Sequence, residues 1–143
     1  MSKKEPKITG IGGVFFKSED SKTLKNWYAE NFALKVDEYG ALFEARQSRD
    51  PQKMQYLQWG PFKHDTTYFD PSKKEFMINY RVQNIEGLVE KLQTAGVTVV
   101  DEIETFEYGK FVHVLDPEGN KLELWEPVDE VFEKEYSERA NKE

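Results

Sequence analysis

The sequence contains no cysteine and only two histidines, and both shortages exclude chemistry. Without cysteine, this chain of 143 residues has no disulfide, no thiolate metal site and no cysteine nucleophile. The two imidazoles belong to His64 and His113. Any histidine chemistry must therefore use one of these two residues.

Long apolar runs and an excess of positive charge are also missing. No stretch approaches the ~20 apolar residues of a transmembrane helix. The charged start, MSKKEPK, is not followed by an apolar run long enough for a signal peptide. The formal net charge of −7 argues against a nucleic-acid surface, which needs clustered lysines and arginines. We therefore expect a cytoplasmic protein whose partners include neither a membrane nor nucleic acid.

Aromatic residues, in contrast, are plentiful. Ten phenylalanines, seven tyrosines and three tryptophans are enough to build a core and still line a pocket. The length suits one compact domain. We predict a single domain over residues 1–143.

The order of predicted elements repeats along the chain. In residues 8–62, ITGIGGVFF predicts a strand, SEDSKTLKNWYAENFAL a helix, and ALFEAR and MQYLQWG two further strands. The polar stretch GPFKHDTTYFDPSKKE is typical of a connecting loop. In residues 74–127, FMINYRV predicts a strand, NIEGLVEKLQTAGV a helix, VTVVDEIETFE a strand with a possible bulge, and KFVHVLD and NKLELWE a hairpin around DPEG. Both halves are interpreted as strand, helix and three strands, and residues 128–143 as a helical tail.

An internal repeat supports this division. A shift of 64 residues places Phe16 on Tyr80 and Leu24 on Leu88. Near the end of each half, LQWGP resembles LELWEP, which matches Trp59 with Trp125. A repeat with a shared element order is a stronger signal than any single motif in this chain.

With two such modules, a GGVFF segment near the start and DPEGNKLELWEP at the end, the chain resembles the vicinal oxygen chelate superfamily. This group includes glyoxalases, bleomycin-resistance proteins and ring-cleaving dioxygenases, and the resemblance extends from about Ile8 to Pro127. It implies an α+β fold in which two βαβββ modules form a curved mixed sheet around a central cavity. It also implies a homodimer. The scaffold hosts both enzymes and non-catalytic binders, so the activity is not fixed by it.

The resemblance also implies where a metal would lie. In metal-dependent members, the first and last strands of each module supply His, Glu or Gln ligands. The matching positions in this chain are Gly13, Met77, Leu57 and Glu123. A register slip of one residue would replace Leu57 by Tyr56 or Gln58. Only Glu123 is a good ligand that matches, so we expect no metal and no other cofactor.

The hairpin predicts which residues share the concave face. If Leu115 pairs with Lys121, then His113 lies opposite Glu123 and Phe111 opposite Trp125. Alternation along the strands then defines most of a candidate ligand-binding set. Two members come from their local sequence instead: Trp59 is a core or pocket-wall residue, and Tyr108 lies at the rim, in a lid or in a plain solvated turn. The set comprises Phe15, Lys17, Trp59, Met77, Asn79, Arg81, Tyr108, Phe111 and Trp125.

The His113 and Glu123 pair has three interpretations. It could act as a catalytic general base, with the carboxylate raising the basicity of the imidazole. It could contact a ligand, or it could be a structural cross-strand pair. The leading hypothesis is metal-independent binding of a small organic molecule in an aromatic cavity. The alternative is a lyase, isomerase or dioxygenase of the same superfamily, with an atypical metal site or with this pair as acid and base.

Overall fold

A computed structural model describes residues 4–131 and 134, and in these residues one seven-stranded mixed sheet carries two helices. The elements are β1 (Lys7–Ser18), α1 (Ser21–Phe32), β2 (Ala41–Arg46), β3 (Met54–Lys63), β4 (Phe76–Gln83), α2 (Ile85–Thr94), β5 (Glu104–Phe106), β6 (Gly109–Leu115) and β7 (Lys121–Pro127). The strand order is β2-β3-β1-β4-β7-β6-β5. The two first strands, β1 and β4, lie antiparallel in the middle, and each pairs in parallel with the last strand of its own half. The predicted α+β class is confirmed.

The two halves differ from the prediction in their outer strands. Between α1 and β4, where every residue is described, two strands form rather than three, and Asp37 and Gly40 make only an isolated bridge. In the second half, VTVVDEIETFE narrows to β5, with an isolated bridge between Val99 and Val114 before it. The interruption contains Asp101.

The predicted tail is described only at its start. Residues 129–131 and 134 are helical, whereas residues 132, 133 and 135–143 lie outside the described residues. In the described part of the chain, no helix has the length and apolar character needed to cross a membrane.

Helix α2 packs on an aliphatic core. The Asn84 side chain caps it by accepting a hydrogen bond from the Gly87 backbone N–H at 3.1 Å. The buried residues of α2 pack on residues of β4, β6 and β7. The resulting hydrophobic cluster comprises Val82, Ile85, Leu88, Val112, Val114 and Leu124. The β6 and β7 members of this cluster alternate with the residues predicted for the concave face, so the structure confirms the predicted alternation.

Helix α1 packs differently, through aromatic rings. Asp20 caps it, but the helix contains no buried residue, and Trp27 and Phe32 remain 50% and 66% exposed. The rings of Tyr28 and Phe16 both contact Trp59, with centroids 4.9 and 5.3 Å from the indole. Trp59 therefore lies on the helix side of the sheet, which fits its predicted place in the core, whereas the pocket wall and the ligand-binding set were wrong for it.

The glycines of β1 leave room on the concave face. A Cβ atom on Gly12 would lie 2.5 Å from Asn79 Oδ1 and 2.8 Å from Trp125 Cε3. At Gly13 it would lie 2.7 Å from the ring of Phe15. Side chains of neighbouring strands therefore lie across the backbone of β1.

Candidate functional site

The β6–β7 hairpin positions the central pair of the site. Its register pairs Leu115 with Lys121 and His113 with Glu123, as predicted. The turn between the strands is held by Asp116, whose side chain accepts two backbone hydrogen bonds at 2.9 Å. His113 and Glu123 are 5% and 4% exposed, and the His113 Nε2 to Glu123 Oε2 distance is 2.8 Å. The two side chains form a buried cross-strand pair.

Glu123 accepts hydrogen bonds from three different elements. Asn79 of β4 donates from Nδ2 to Oε1 at 2.8 Å. His113 of β6 and the hydroxyl of Tyr68, in the connector between β3 and β4, both contact Oε2. Each carboxylate oxygen is thus paired within the protein.

His113 has a second carboxylate partner that the sequence did not indicate. Asp101 Oδ2 lies 2.6 Å from His113 Nδ1, and Oδ1 accepts the His113 backbone N–H at 2.8 Å. Since both ring nitrogens face carboxylate oxygens, both are placed to donate. The arrangement is that of an imidazolium held between two carboxylates. We call Tyr68, Asn79, Asp101, His113 and Glu123 the polar network.

The pKa values follow from these contacts. Burial opposes the charge of His113, but the hydrogen bonds and charges of Glu123 and Asp101 outweigh it and raise its pKa. Burial likewise opposes the charge of Glu123, but hydrogen bonds from His113, Tyr68 and Asn79 lower its pKa. Burial and the nearby charge of Glu123 raise the pKa of Tyr68 far above its ordinary value. These pKa shifts favour an ionised Glu123, a protonated His113 and a neutral Tyr68.

The connector that contributes Tyr68 was predicted as a plain loop. The Tyr68 ring stacks on Phe62 at 5.7 Å between centroids, and Lys121 Nζ donates to the Tyr68 carbonyl at 2.6 Å. The next residue, Phe69, is fully buried. Two adjacent aromatic residues in a polar loop were the available signal, because large apolar rings are more often buried than left in a solvated loop.

Aromatic rings surround the other end of the site. Trp125 stacks on Phe111 with centroids 5.8 Å apart and planes within 6°, and its Nε1 donates to the Tyr108 carbonyl at 3.1 Å. Arg81 also lies over the indole, with Cζ 5.4 Å from the ring centroid. The structure thus brings four predicted ligand-binding residues together. Of these, Trp125 is only 3% exposed.

The remaining predicted residues lie near the connector. Phe15 packs on Phe62 at 5.4 Å, and Lys17 Nζ lies 5.8 Å from the Phe69 ring centroid. Met77 has no exposed surface. At this end, aromatic rings of β3 and of the connector therefore pack against each other where the cavity was expected.

Arg81 lines a polar cleft at the opposite end. The cleft has a volume of about 900 Å³. Arg81 is 3% exposed, and its Nη2 donates to both Asp129 carboxylate oxygens at 2.8 Å. Gln47 donates to the same carboxylate at 2.9 Å. The other guanidinium nitrogen, Nη1, is buried and has no hydrogen-bond partner among the described residues.

The metal positions implied by the superfamily do not fit a metal. The strand registers pair Phe15 with Gly60 and its repeat equivalent Asn79 with Glu123. Gly60 is therefore the counterpart of Glu123, so the Trp59–Trp125 alignment and its choice of Leu57 were wrong. Gly60 has no side chain to offer.

The other positions add no ligand set. Gly13 has no side chain, Met77 offers a thioether that suits hard divalent ions poorly, and Glu123 is already engaged in the polar network. Within the described residues, no group of three or more His, Cys, Asp or Glu side chains is arranged to hold a metal ion.

A curved sheet built from two related halves, with a buried carboxylate on the last strand, defines a glyoxalase-like fold. The family model of the glyoxalase-like domain matches residues 13–125, and the chain belongs to this family. No curated protein sequence matches it significantly.

Solved structures of the same superfamily share the fold. Methylmalonyl-CoA epimerase from Mycobacterium tuberculosis is 18% identical, with a TM-score of 0.56 over 88% of this chain and 93% of that chain. A single-residue variant of the Streptomyces coelicolor methylmalonyl-CoA epimerase, in complex with 2-nitronate-propionyl-CoA, is 13% identical, with a TM-score of 0.61 over 85% and 99%. A glyoxalase/bleomycin resistance protein/dioxygenase superfamily member from Vibrio splendidus is 11% identical, with a TM-score of 0.52 over 85% and 99%. At these identities the similarity establishes the fold alone.

Proposed function

We propose that this protein binds a small organic molecule on the concave face of its sheet without a metal ion. The observation that carries the proposal is the burial and the complete hydrogen bonding of the Glu123 carboxylate. Its two oxygens accept hydrogen bonds from Asn79, His113 and Tyr68, and it is 4% exposed. The carboxylate at the one good ligand position already has partners within the protein.

Recruiting Glu123 to a metal would be costly. It would break the bonds to Asn79 and Tyr68 and remove one of the two negative partners of the buried His113 imidazolium. Separating a buried ion pair typically costs about 3–5 kcal/mol. A single carboxylate would have to repay that cost without support from Gly13, Gly60 or Met77.

The rim of the concave face supports ligand binding instead. Tyr68 is 41% exposed although its hydroxyl contacts the buried Glu123, and Tyr108 and Phe111 are partly exposed. Aromatic walls with a few convergent polar groups are the usual composition of small-molecule sites. Arg81 and the polar network supply such groups.

Two measurements test the proposal. Protein incubated with Mn²⁺, Fe²⁺, Ni²⁺ or Zn²⁺ and then desalted should retain far less than one metal per chain, with Glu123→Gln and the surface control Glu44→Gln no different. A thermal-shift screen with a panel of aromatic compounds, both neutral and carboxylate-bearing, should give hits that Phe111→Ala weakens. Stoichiometric metal that Glu123→Gln removes would overturn metal independence, and a screen without hits would overturn the binding role.

An acid–base enzyme of the same superfamily is the second candidate. The observation in its favour is the His113 imidazolium, held by Asp101 and Glu123 beside the partly exposed Tyr68. A protonated imidazole fixed by carboxylates suits a general acid rather than the general base considered from the sequence. If turnover of a bound compound is found, its rate should fall as pH rises through the raised pKa of His113, and His113→Gln should abolish that dependence.

A homodimer and a cytoplasmic location also enter as proposals. The exposed rings of Trp27 and Phe32 on α1 support the dimer, since apolar surface of this kind often marks contact sites. Light scattering of the parent should give a mass of two chains, and light scattering of Trp27→Glu should give the mass of a single chain. Cell fractionation tests the location.

A further inference from the structure

We propose that Arg81 anchors a site for the carboxylate group of a small molecule, and that Asp129 occupies this site when no ligand is bound. The inference deepens the proposed function and rests on it, because it names the class of ligand and one end of its site. Three observations support the inference: the incomplete hydrogen bonding of Arg81, the polar cleft beside Arg81, and the hydrogen bonds that Asp129 accepts from Arg81 and Gln47.

The guanidinium of Arg81 is held in place, but among the described residues only one of its two terminal nitrogens has a hydrogen-bond partner. It lies over the Trp125 indole, with Cζ 5.4 Å from the ring centroid, and it is 3% exposed. An arginine and a carboxylate commonly pair as a fork, with two nitrogens donating to two oxygens. Here Nη2 donates to both Asp129 oxygens at 2.8 Å, and no residue in the described part of the chain accepts a hydrogen bond from Nη1. A buried donor without an acceptor is unfavourable, so the intramolecular carboxylate satisfies Arg81 poorly.

The surroundings of Arg81 suit an anion that enters from solvent. The cleft of about 900 Å³ is lined by further basic residues besides Arg81, namely Lys4, Lys7, Arg49 and Lys53. The acidic lining residues are Asp50, Glu86, Glu126 and Asp129, so displacement of Asp129 would leave five basic and three acidic side chains among the described residues that line the cleft. Gln55 and Gln83 add amide groups, which can donate to a carboxylate. A small carboxylate would thus meet several donors around one buried cation.

Asp129 is placed to be exchanged. It follows β7 in the first helical turn of the C-terminal segment, and besides the bonds from Arg81 its side chain accepts one from Gln47 at 2.9 Å. Gln47 belongs to the first half of the chain and Arg81 to the second. The Asp129 carboxylate therefore bridges the two halves at the cleft, in the position that a ligand carboxylate would take.

Succinate is the probe, and its diamide, succinamide, is the matched neutral control. Asp129→Ala leaves Arg81 without its anion, so the variant should unfold at a lower temperature than the parent. Succinate should raise the midpoint of the variant by roughly 4 °C near tenfold saturation. Succinamide, and sodium chloride at the same ionic strength, should have no such effect. The double variant Asp129→Ala/Arg81→Gln should not respond to succinate.

The parent protein gives an independent readout if Asp129→Ala does not fold. In the parent, succinate must displace Asp129, so the side-chain amide resonances of Gln47 should shift in nuclear magnetic resonance spectra. The apparent affinity of the parent for succinate should be weaker than that of Asp129→Asn. Succinate without effect on the variant midpoint or on the Gln47 amide would overturn the carboxylate site. If neutral aromatic compounds still bind in that case, the proposed function stands and only the ligand class is wrong.

Discussion

The two halves of the chain share an order of strand and helix, but they use it differently. In the second half, α2 buries Ile85 and Leu88 in an aliphatic core, and the same strands carry His113 and Glu123 on the opposite face. In the first half, α1 buries no residue. The first half contributes space instead, because Gly12 lets side chains of the second half lie across β1. The two halves of the repeat thus have different roles: the second half, together with Tyr68 of the connector, forms the polar network, and the first half leaves space for it.

The largest effect should separate the two helices. Ile85→Ala removes buried methyl groups from the α2 core and should lower the free energy of unfolding by about 4 kcal/mol. Phe32→Ala in α1 removes a ring that is 66% exposed and should cost less than about 1 kcal/mol. Urea denaturation of both variants measures the contrast. Equal losses would show that α1 is covered in solution, and the comparison between the helices would fail.

The polar network should be nearly as sensitive. Glu123→Gln replaces a carboxylate oxygen with an amide group and removes one of the two negative partners of the buried His113, so we expect a loss of about 3 kcal/mol in the free energy of unfolding. Glu44→Gln makes the same change on an exposed position of β2 in the first half and should stay within about 0.5 kcal/mol. Chemical denaturation of the two variants measures the difference. A Glu123 variant as stable as the Glu44 variant would mean that the network contributes nothing to the folded state.

A third contrast tests the space that β1 provides. Gly12→Ala would place a methyl group 2.5 Å from Asn79 Oδ1 and should cost about 2 kcal/mol through overpacking, measured by urea denaturation. Gly10→Ala lies on the same strand, but its nearest neighbour would be 3.6 Å away, an ordinary contact. That variant should be as stable as the parent or slightly more stable. If both substitutions were tolerated, the positions of the Asn79 and Trp125 side chains would not depend on a glycine at position 12.

The sequence predicted the parts of the fold that follow from local pattern. Alternation along β6 and β7 gave the hairpin register, and with it the pairing of His113 with Glu123. The repeat gave the division into halves. It did not give the equivalence of Gly60 with Glu123. The match of two tryptophans suggested a different alignment of the halves, and the correct alignment follows only from the pairing of the strands. The pocket-wall place considered for Trp59 was wrong, because the strand register puts Trp59 on the face opposite to that of Gly60.

The partners of the polar network could not be predicted in the same way. Tyr68 and Asp101 lie in a connector and in an interrupted strand, where side-chain direction has no period. Their contacts with Glu123 and His113 join positions 55 and 12 residues apart in the sequence. Such contacts depend on how loops fold over a sheet, and only the assembled structure brings them together.

The smallest effect is one of pH, and it distinguishes the two histidines. His113 has a raised pKa in the folded protein, so its contribution to stability is complete below its ordinary value near 6.5 and is lost as pH rises through the folded value. The free energy of unfolding should therefore fall above pH ~6.5, by at most about 1.4 kcal/mol per pH unit.

Substitution assigns that fall to one half of the molecule. His113→Gln should remove it, whereas His64→Gln, on an exposed side chain in the connector, should keep it. Glu123 has the opposite sign, because its pKa is lowered: its contribution is complete above its ordinary value near 4.5 and is lost on acidification through the folded value. The parent should thus be most stable between these two limits. If the alkaline decline survived in His113→Gln, the imidazolium would not be the charge that the two carboxylates stabilise, and the polar network would have to hold a neutral histidine.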